Sequence, residues 1–425
     1  MNLNQGIELA KKNRYQEALP YFQKAYKTEL ETFNEWAWYF YCKTLAKQDQ
    51  LEDAIKVNSF LIKKFPDFEP NINLYGWNLN KHIIKKADNE EQLISTANFI
   101  VNITKQERYS AFEKTVFDVL KFLKNRPSPD FNKILFWTEK LNPKMLSKEV
   151  FSFTDNHGKK RELASPLESW YQHRIKALFE TEQYENCVQL VQEALSSVSS
   201  FHYNNDIWFR IKEAVSISKL GNTDSAIKRL LLISREKQHW TVYQELFHLY
   251  KQKGEFEKAL EMGSYSLLER SGEFKHKIKL LLHMGTILEE NSKPKEALLH
   301  YCFVSKIRAE NNWPVNQRIT DRVELLQEKE SIPQDIKHEL IRFWKQTKLK
   351  SIPKGTGIVK SLIASGKAGF ITSTDGEDLF FRVSNVKQRD IKVENKVSFH
   401  IINSFDQKKQ RESKEAVEII IIKQN

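Results

Sequence analysis

The run GKAGFITSTDGEDLFFRVS, from Gly366 to Ser384, holds the residues of this chain best suited to binding chemistry. Phe370 and Phe380 lie on opposite sides of Asp375-Gly376, with Lys367 and Arg382 close to them. Bases stack on rings and phosphates sit against cations. Aromatic and basic groups interleaved on one small sheet are therefore what a single-stranded nucleic acid requires. Lys360 lies upstream, and Lys387 and Arg389 follow in a loop, where they extend the basic track. Further cations, Lys345, Lys348, Lys350 and Lys354, precede the run. The same residues admit a plainer role, with Phe370 and Phe380 as surface or core aromatics of a module that docks protein or is purely structural.

Other chemical signals are weaker. Ser365-Gly366-Lys367 has the look of the end of a phosphate-binding loop, but the upstream glycine and the Ser/Thr after the lysine are absent, and no helix follows. The eleven histidines are scattered, and none forms an HExxH-type pair. Glu90-Glu91 and Glu289-Glu290 read as charges on helix surfaces. Cys42, Cys187 and Cys302 are far apart and odd in number, so they suggest neither a zinc site nor a disulfide framework but buried thiols in a reducing compartment. No nucleophile, base and orienting group can be assembled from spacing. We expect no catalytic residue, no metal, no cofactor and no small-molecule substrate.

The elements that must position the Phe370 region are strands. Asp375-Gly376 between two apolar alternating runs is a hairpin signal in which both turn residues tolerate positive φ. Strands are expected at 356–362, 368–373, 379–384, 396–402 and 416–422, with a longer loop at 385–395. Five short strands in about 70 residues suit a small closed barrel. The segments GIVKSL, GKAGFI, DGEDLFFRVS and NKVSFHI resemble, in order and spacing, a cold-shock domain, which is an OB-fold barrel. The resemblance covers about 355–422. It implies that Phe370 and Phe380 match stacking aromatics of that family and Lys360 a basic residue of its first strand. Ser361 stands where the family usually has Trp, Ala368 replaces the first aromatic of the first motif, and Arg382 and Val383 replace the usual His and Phe. Much of the ring platform is missing. Arg382 offsets part of the loss, since guanidinium stacks on bases and pairs with phosphates.

Residues 1 to about 350 carry a helical pattern with turns every ~12–18 residues. A motif of large and small residues recurs: Tyr15, Ala18, Phe22, Ala25; then Leu51, Ala54 and Leu61, closed by Pro66; then Tyr184, Cys187, Val191, Ala194. Further copies hold Ala226 after Gly221, Phe256 and Ala259 after Gly254, and Gly285, Leu288, Ala297 and Tyr301. The central small residue returns after 36 positions in the first block and after 39, 33 and 38 in the later one. Small residues let two helices of a unit approach, and large ones fill the gap to the next unit, so the units must stack. The pattern resembles the tetratricopeptide repeat over roughly 1–66 and 166–310. Over 67–165 the expected helices, 91–104, 111–124 and 131–141, read as divergent repeats or a distinct helical domain, without the small residues. Phe153 to Leu163 reads as an exposed loop or joint, and a last helix runs from about 333 to 350 before Pro353 and Gly355 break it.

At 425 residues the chain exceeds one compact core, and its net charge of +12 favours an acidic partner. The start, MNLNQGIELAKK, has no apolar signal core, and no run reaches the length of a membrane span. The nine tryptophans default to core packing, with any exposed ones on a concave face marking a peptide groove. The expectation is a mostly α chain: a tetratricopeptide-like α-solenoid (1–150, divergent over 67–150, and 151–349) followed by a five-stranded cold-shock-like barrel (350–425). The expected function is a cytoplasmic, non-enzymatic adaptor that holds a protein partner in the repeat groove and single-stranded RNA or DNA on the barrel, with no membrane partner. The alternatives are a pure protein scaffold and a non-catalytic subunit of a nucleic-acid-processing, host-defence-type complex.

Overall fold

A computed structural model describes residues 3–28, 30–87, 89–314, 316–388, 390–406 and 411–422. They form a mostly helical, solenoid-like repeat fold followed by a closed five-stranded barrel. The chain divides into two compact units, Met1–Asn222 and Thr223–Asn425.

The repeats are built from a turn with a fixed chemistry. Asn13, Asp49, Glu182, Gly221, Gly254 and Ser292 all have left-handed φ, between 55° and 93°. The next residue's N–H reaches back to the carbonyl five positions earlier: Arg14 to Leu9 (2.9 Å), Gln50 to Leu45 (2.9 Å), Gln183 to Leu178 (2.9 Å), Asn222 to Ile217 (3.1 Å), Glu255 to Tyr250 (2.9 Å) and Lys293 to Leu288 (2.9 Å). This bond caps the first helix and reverses the chain. Five residues after each turn residue stands the central small residue, Ala18, Ala54, Cys187, Ala226, Ala259 or Ala297, and every one is fully buried. Position therefore follows from the turn, and closeness of packing from the missing side-chain bulk.

In the first unit the divergent stretch is also helical, with Glu69–His82, Glu90–Ile103, Ala111–Lys124 and Phe131–Glu139. The expectation that these helices lack small residues fails for Glu90–Ile103 and Ala111–Lys124 and holds for Phe131–Glu139. Ala97 and Ala111 are fully buried, and a Cβ on Gly76 would come within 2.9 Å of the Ala111 Cβ. Between the helices Leu51–Lys64 and Glu69–His82 lies a buried amide chain: Asn58 Nδ2 donates to Asn71 Oδ1 (2.6 Å), and Asn78 Nδ2 donates to Asn58 Oδ1 (2.8 Å). The joint at 153–163 is a hairpin rather than a loop. Strand β1, Phe151–Thr154, pairs with β2, Lys160–Leu163, and every residue of both is exposed. Asp155 Oδ1 accepts from the His157 and Lys159 amides (3.0 Å each), and Gly158 takes φ +74°, which closes the turn.

In the second unit helical pairs lead through Ile336–Leu349 into the barrel. Its strands are β3, Lys354–Leu362; β4, Ala368–Ser373; β5, Asp378–Arg382; β6, Lys396–Asp406; and β7, Arg411–Ile421. They close in the order β3-β4-β5-β7-β6, antiparallel except for β5 with β7. Alternation sends Val359, Ile371, Leu379, Phe381, Val397 and Phe399 inward, and a register shift in β7, where Glu418 takes φ +52°, brings Ala416 and Ile419 into the same core. Gly369 is dictated by closeness, since a Cβ there would lie 2.3 Å from the Ser361 carbonyl oxygen and 2.7 Å from the Phe381 ring. The hairpin at Asp375-Gly376 differs from the expected two-residue turn. Gly376 alone has positive φ (+83°), and its amide bonds the Ser373 carbonyl (2.9 Å) while the Ser373 amide bonds the Glu377 carbonyl (2.9 Å). This is a three-residue loop whose left-handed residue must be glycine. The β3–β6 ladder continues one residue before β3, with the Ile401 amide donating to the Pro353 carbonyl at 2.9 Å.

Candidate nucleic-acid interface

β4 and β5 carry the expected aromatic pair on their outer surface. Phe370 and Phe380 are directly opposite in the ladder, their ring centroids 5.8 Å apart and their planes at 71°. Phe370 is 39% exposed and Phe380 half-buried. Their neighbours in sequence, Ile371, Leu379 and Phe381, point into the core, so the period of two fixes both rings outside. The two rings meet edge to face, Phe370 stays exposed in that arrangement, and bases stack on exposed rings. Ala368, where the cold-shock pattern has an aromatic, is buried at the Arg382 register position.

The cations divide into two groups. Lys367 is exposed beside the pair, and its amide hydrogen bonds the Ser365 hydroxyl (3.4 Å). The others face carboxylates. Lys360 is paired with Asp378, whose second oxygen accepts from the Thr372 hydroxyl (2.7 Å). The Lys360 ammonium, and after it the Thr372 hydroxyl, hold the Asp378 carboxyl below its ordinary range. Arg382 lies 3.5 Å from Glu415, Lys387 3.0 Å from Glu418, and Lys414 2.7 Å from Glu377. Lys360–Asp378 and Lys414–Glu377 are exposed pairs of small net strength, which a phosphate backbone can displace, whereas Arg382 reaches a buried carboxylate, Glu415; all of them lower the positive potential of the face. Arg389 lies outside the described residues. Lys348 is withdrawn from the expected basic track, because its ammonium rests 4.4 Å from the Tyr265 ring centroid and burial lowers its pKa.

Of the helical tryptophans, Trp38, Trp137, Trp170 and Trp344 are buried, Trp240 is half-buried, and Trp36, Trp77 and Trp208 are exposed. Trp208 lines a cavity in the first unit together with Lys124, His173 and Lys176. No spacing in the sequence joins these four residues. Among the described residues, no group of three or more His, Cys, Asp or Glu is placed to hold a metal ion, and no helix is long and apolar enough to cross a membrane.

No family model matches the chain, and no curated protein matches it. Solved structures do resemble it. A tetratricopeptide repeat protein from Parabacteroides merdae is 11% identical, covering 76% of this chain and 97% of its own, with a TM-score of 0.30. The C-terminal part of a repeat protein of the same type from Cytophaga hutchinsonii is 13% identical, covering 76% and 99%, with a TM-score of 0.33. The human IFIT1 dimer with PPP-AAAA is 12% identical, covering 81% of each chain, with a TM-score of 0.36. Similarity at this level says nothing about ligands. The repeat assignment rests on the turns and buried small residues described above.

Proposed function

We propose that this chain is a non-catalytic adaptor. Its repeats, 1–150 and 151–349, hold a protein segment. Its barrel, 350–425, is an OB-fold of cold-shock type that meets single-stranded RNA or DNA across the outer face of β4 and β5. The observation that carries the reading is the Phe370–Phe380 pair on neighbouring strands with Lys367 exposed beside it. Two outward rings on a closed barrel do no work for its core, which Phe381 and Phe399 fill. Three free, buried cysteines are in keeping with a reducing, cytoplasmic setting. The test is an anisotropy titration of the full chain with labelled single-stranded RNA and DNA at two salt concentrations. Phe370→Ala with Phe380→Ala should weaken binding by about 1–3 kcal/mol per base unstacked while leaving the barrel folded. Unchanged affinity refutes the stacking role.

A second reading has a specific observation in its favour. Lys360, Arg382, Lys387 and Lys414 each face a carboxylate of the barrel, which suits a surface that docks polypeptide. It requires that oligonucleotide affinity be weak and show no slope with salt, whereas phosphate contacts would each add to that slope.

A further inference from the structure

The first unit holds a cavity of about 330 Å³, open on one side, among the helices Ala111–Lys124, Phe131–Glu139, Pro166–Glu180 and Asn205–Lys219. Its floor is apolar, from Ile134, Ile175 and Phe209. Its walls carry Phe131 and Trp208 on one hand and Lys124, Lys176 and Lys212 on the other, and no carboxylate lines it. Lys212 is compensated, lying 3.5 Å from Glu180 and 3.5 Å from the Phe179 ring centroid. Among the described residues Lys124 and Lys176 make no ion pair, and the Lys176 ammonium lies 5.5 Å from the Phe131 ring centroid. Burial, and then the charge of Lys176, lowers the Lys124 ammonium. His173 between them is pulled down to about 4 by burial and by both lysines, so it is neutral at pH 7 and adds no charge. The nearby Glu168 is committed elsewhere. Its carboxylate accepts from the His202 amide (2.8 Å) and from Asn205 Nδ2 (2.8 Å), and its other oxygen meets His202 Nδ1 (2.8 Å).

Two ammoniums and a neutral imidazole border one small cavity whose walls carry no carboxylate, so the cavity is positive and an anion is the ligand it favours. The volume lies at the lower end for small-ligand sites and admits one nucleotide-sized group rather than a helix or a folded domain. A carboxylate would neutralise only one of the two ammoniums. A phosphate monoester carries charge for both, and a nucleobase gives Phe131 and Trp208 a flat partner. We propose that this cavity is a nucleotide site, with the phosphate between Lys124 and Lys176 and the base against Trp208 and Phe131. The nucleotide is either a free nucleoside monophosphate or the phosphorylated end of a strand. The proposal is independent of the barrel, which lies in the other unit.

The experiment uses the full chain carrying Phe370→Ala and Phe380→Ala, so that any barrel binding is suppressed. Adenosine 5′-monophosphate, adenosine, a glutamate tetrapeptide, and one oligonucleotide with and without a 5′-phosphate are titrated by calorimetry. Free-nucleotide recognition appears as binding of the monophosphate at least about tenfold tighter than adenosine. End recognition appears as the same preference for the 5′-phosphorylated strand alone. In either case Lys124→Gln with Lys176→Gln should remove the phosphate preference, and Trp208→Ala should weaken binding about tenfold, with circular dichroism unchanged. The proposal is overturned if no phosphate ligand binds, if the tetrapeptide binds more tightly than every phosphate ligand, or if the folded lysine variant keeps the preference.

Discussion

Acidification should weaken the hold of the helix Ile336–Leu349 on the helix Pro294–Glu310, because His300 has no room for a second proton. Its ring is fully buried. Nδ1 lies 2.7 Å from the Glu296 carbonyl oxygen and donates to it. Nε2 lies 3.0 Å from Trp344 Nε1, and since an indole N–H can only donate, Nε2 must accept. Both nitrogens are therefore committed in the neutral form, and protonation would set N–H against N–H. Burial accordingly pulls the ring from its ordinary 6.5 to about 4. The folded pKa is below the unfolded one, so the contribution of His300 is whole above pH 6.5 and is lost as pH falls toward 4. A gap of about 2.5 units at ~1.4 kcal/mol each gives a loss of about 3 kcal/mol by pH 4. His300→Gln offers the indole an acceptor and cannot titrate. Urea midpoints of the wild type and this variant, taken at pH 7 and pH 4, isolate the effect, since the other burial-lowered histidines, His173, His239, His248 and His283, are common to both. The wild type should lose about 3 kcal/mol more than the variant. A parallel loss in the two proteins, or a His300 proton resonance titrating near 6.5, would refute the reasoning.

Two further substitutions test the repeat geometry. Ala259 is fully buried five residues after Gly254, so Ala259→Trp should overpack its helical pair and cost at least about 1–3 kcal/mol in denaturation; a variant of normal stability would show that the register is wrong. Glu182 holds φ +59° with a side chain that this conformation disfavours, so Glu182→Gly should be neutral or stabilising by up to about 1 kcal/mol. A clear loss of thermal stability there would show that the Glu182 side chain makes a contact that matters.

How far the sequence could be read depended on how local the cause was. The repeat turns were legible because a left-handed residue and a small residue five positions on are set by neighbours in the chain, as with Gly254 and Ala259. The barrel's rings were legible because a period of two puts Phe370 and Phe380 on the face opposite Ile371 and Leu379. The type of turn at Asp375-Gly376 was not, because the pairing of Ser373 with Glu377 adds a residue to the loop. Nor were the ion pairs. Arg382 meets Glu415 only because β7 inserts between β5 and β6, and nothing in the order of residues announces that neighbour. Ala97 and Ala111 are not legible as repeat positions because the large residues around them depart from the pattern, although their burial is the same. The cavity at Lys124 and Lys176 draws on four helices and has no local signature.

The place of β7 also sets an order of events during synthesis. Each helical pair of the repeats closes over a few dozen residues and can form as the chain leaves the ribosome. The barrel cannot, because β7 supplies the partner of both β5 and β6. Until residue 421 is available, those two strands present unpaired backbone edges, the surfaces on which chains add to one another. A transcript cut short within the last strand would therefore yield a protein with folded repeats and a sticky end, and quality control would meet it as an aggregating species rather than as an inactive one.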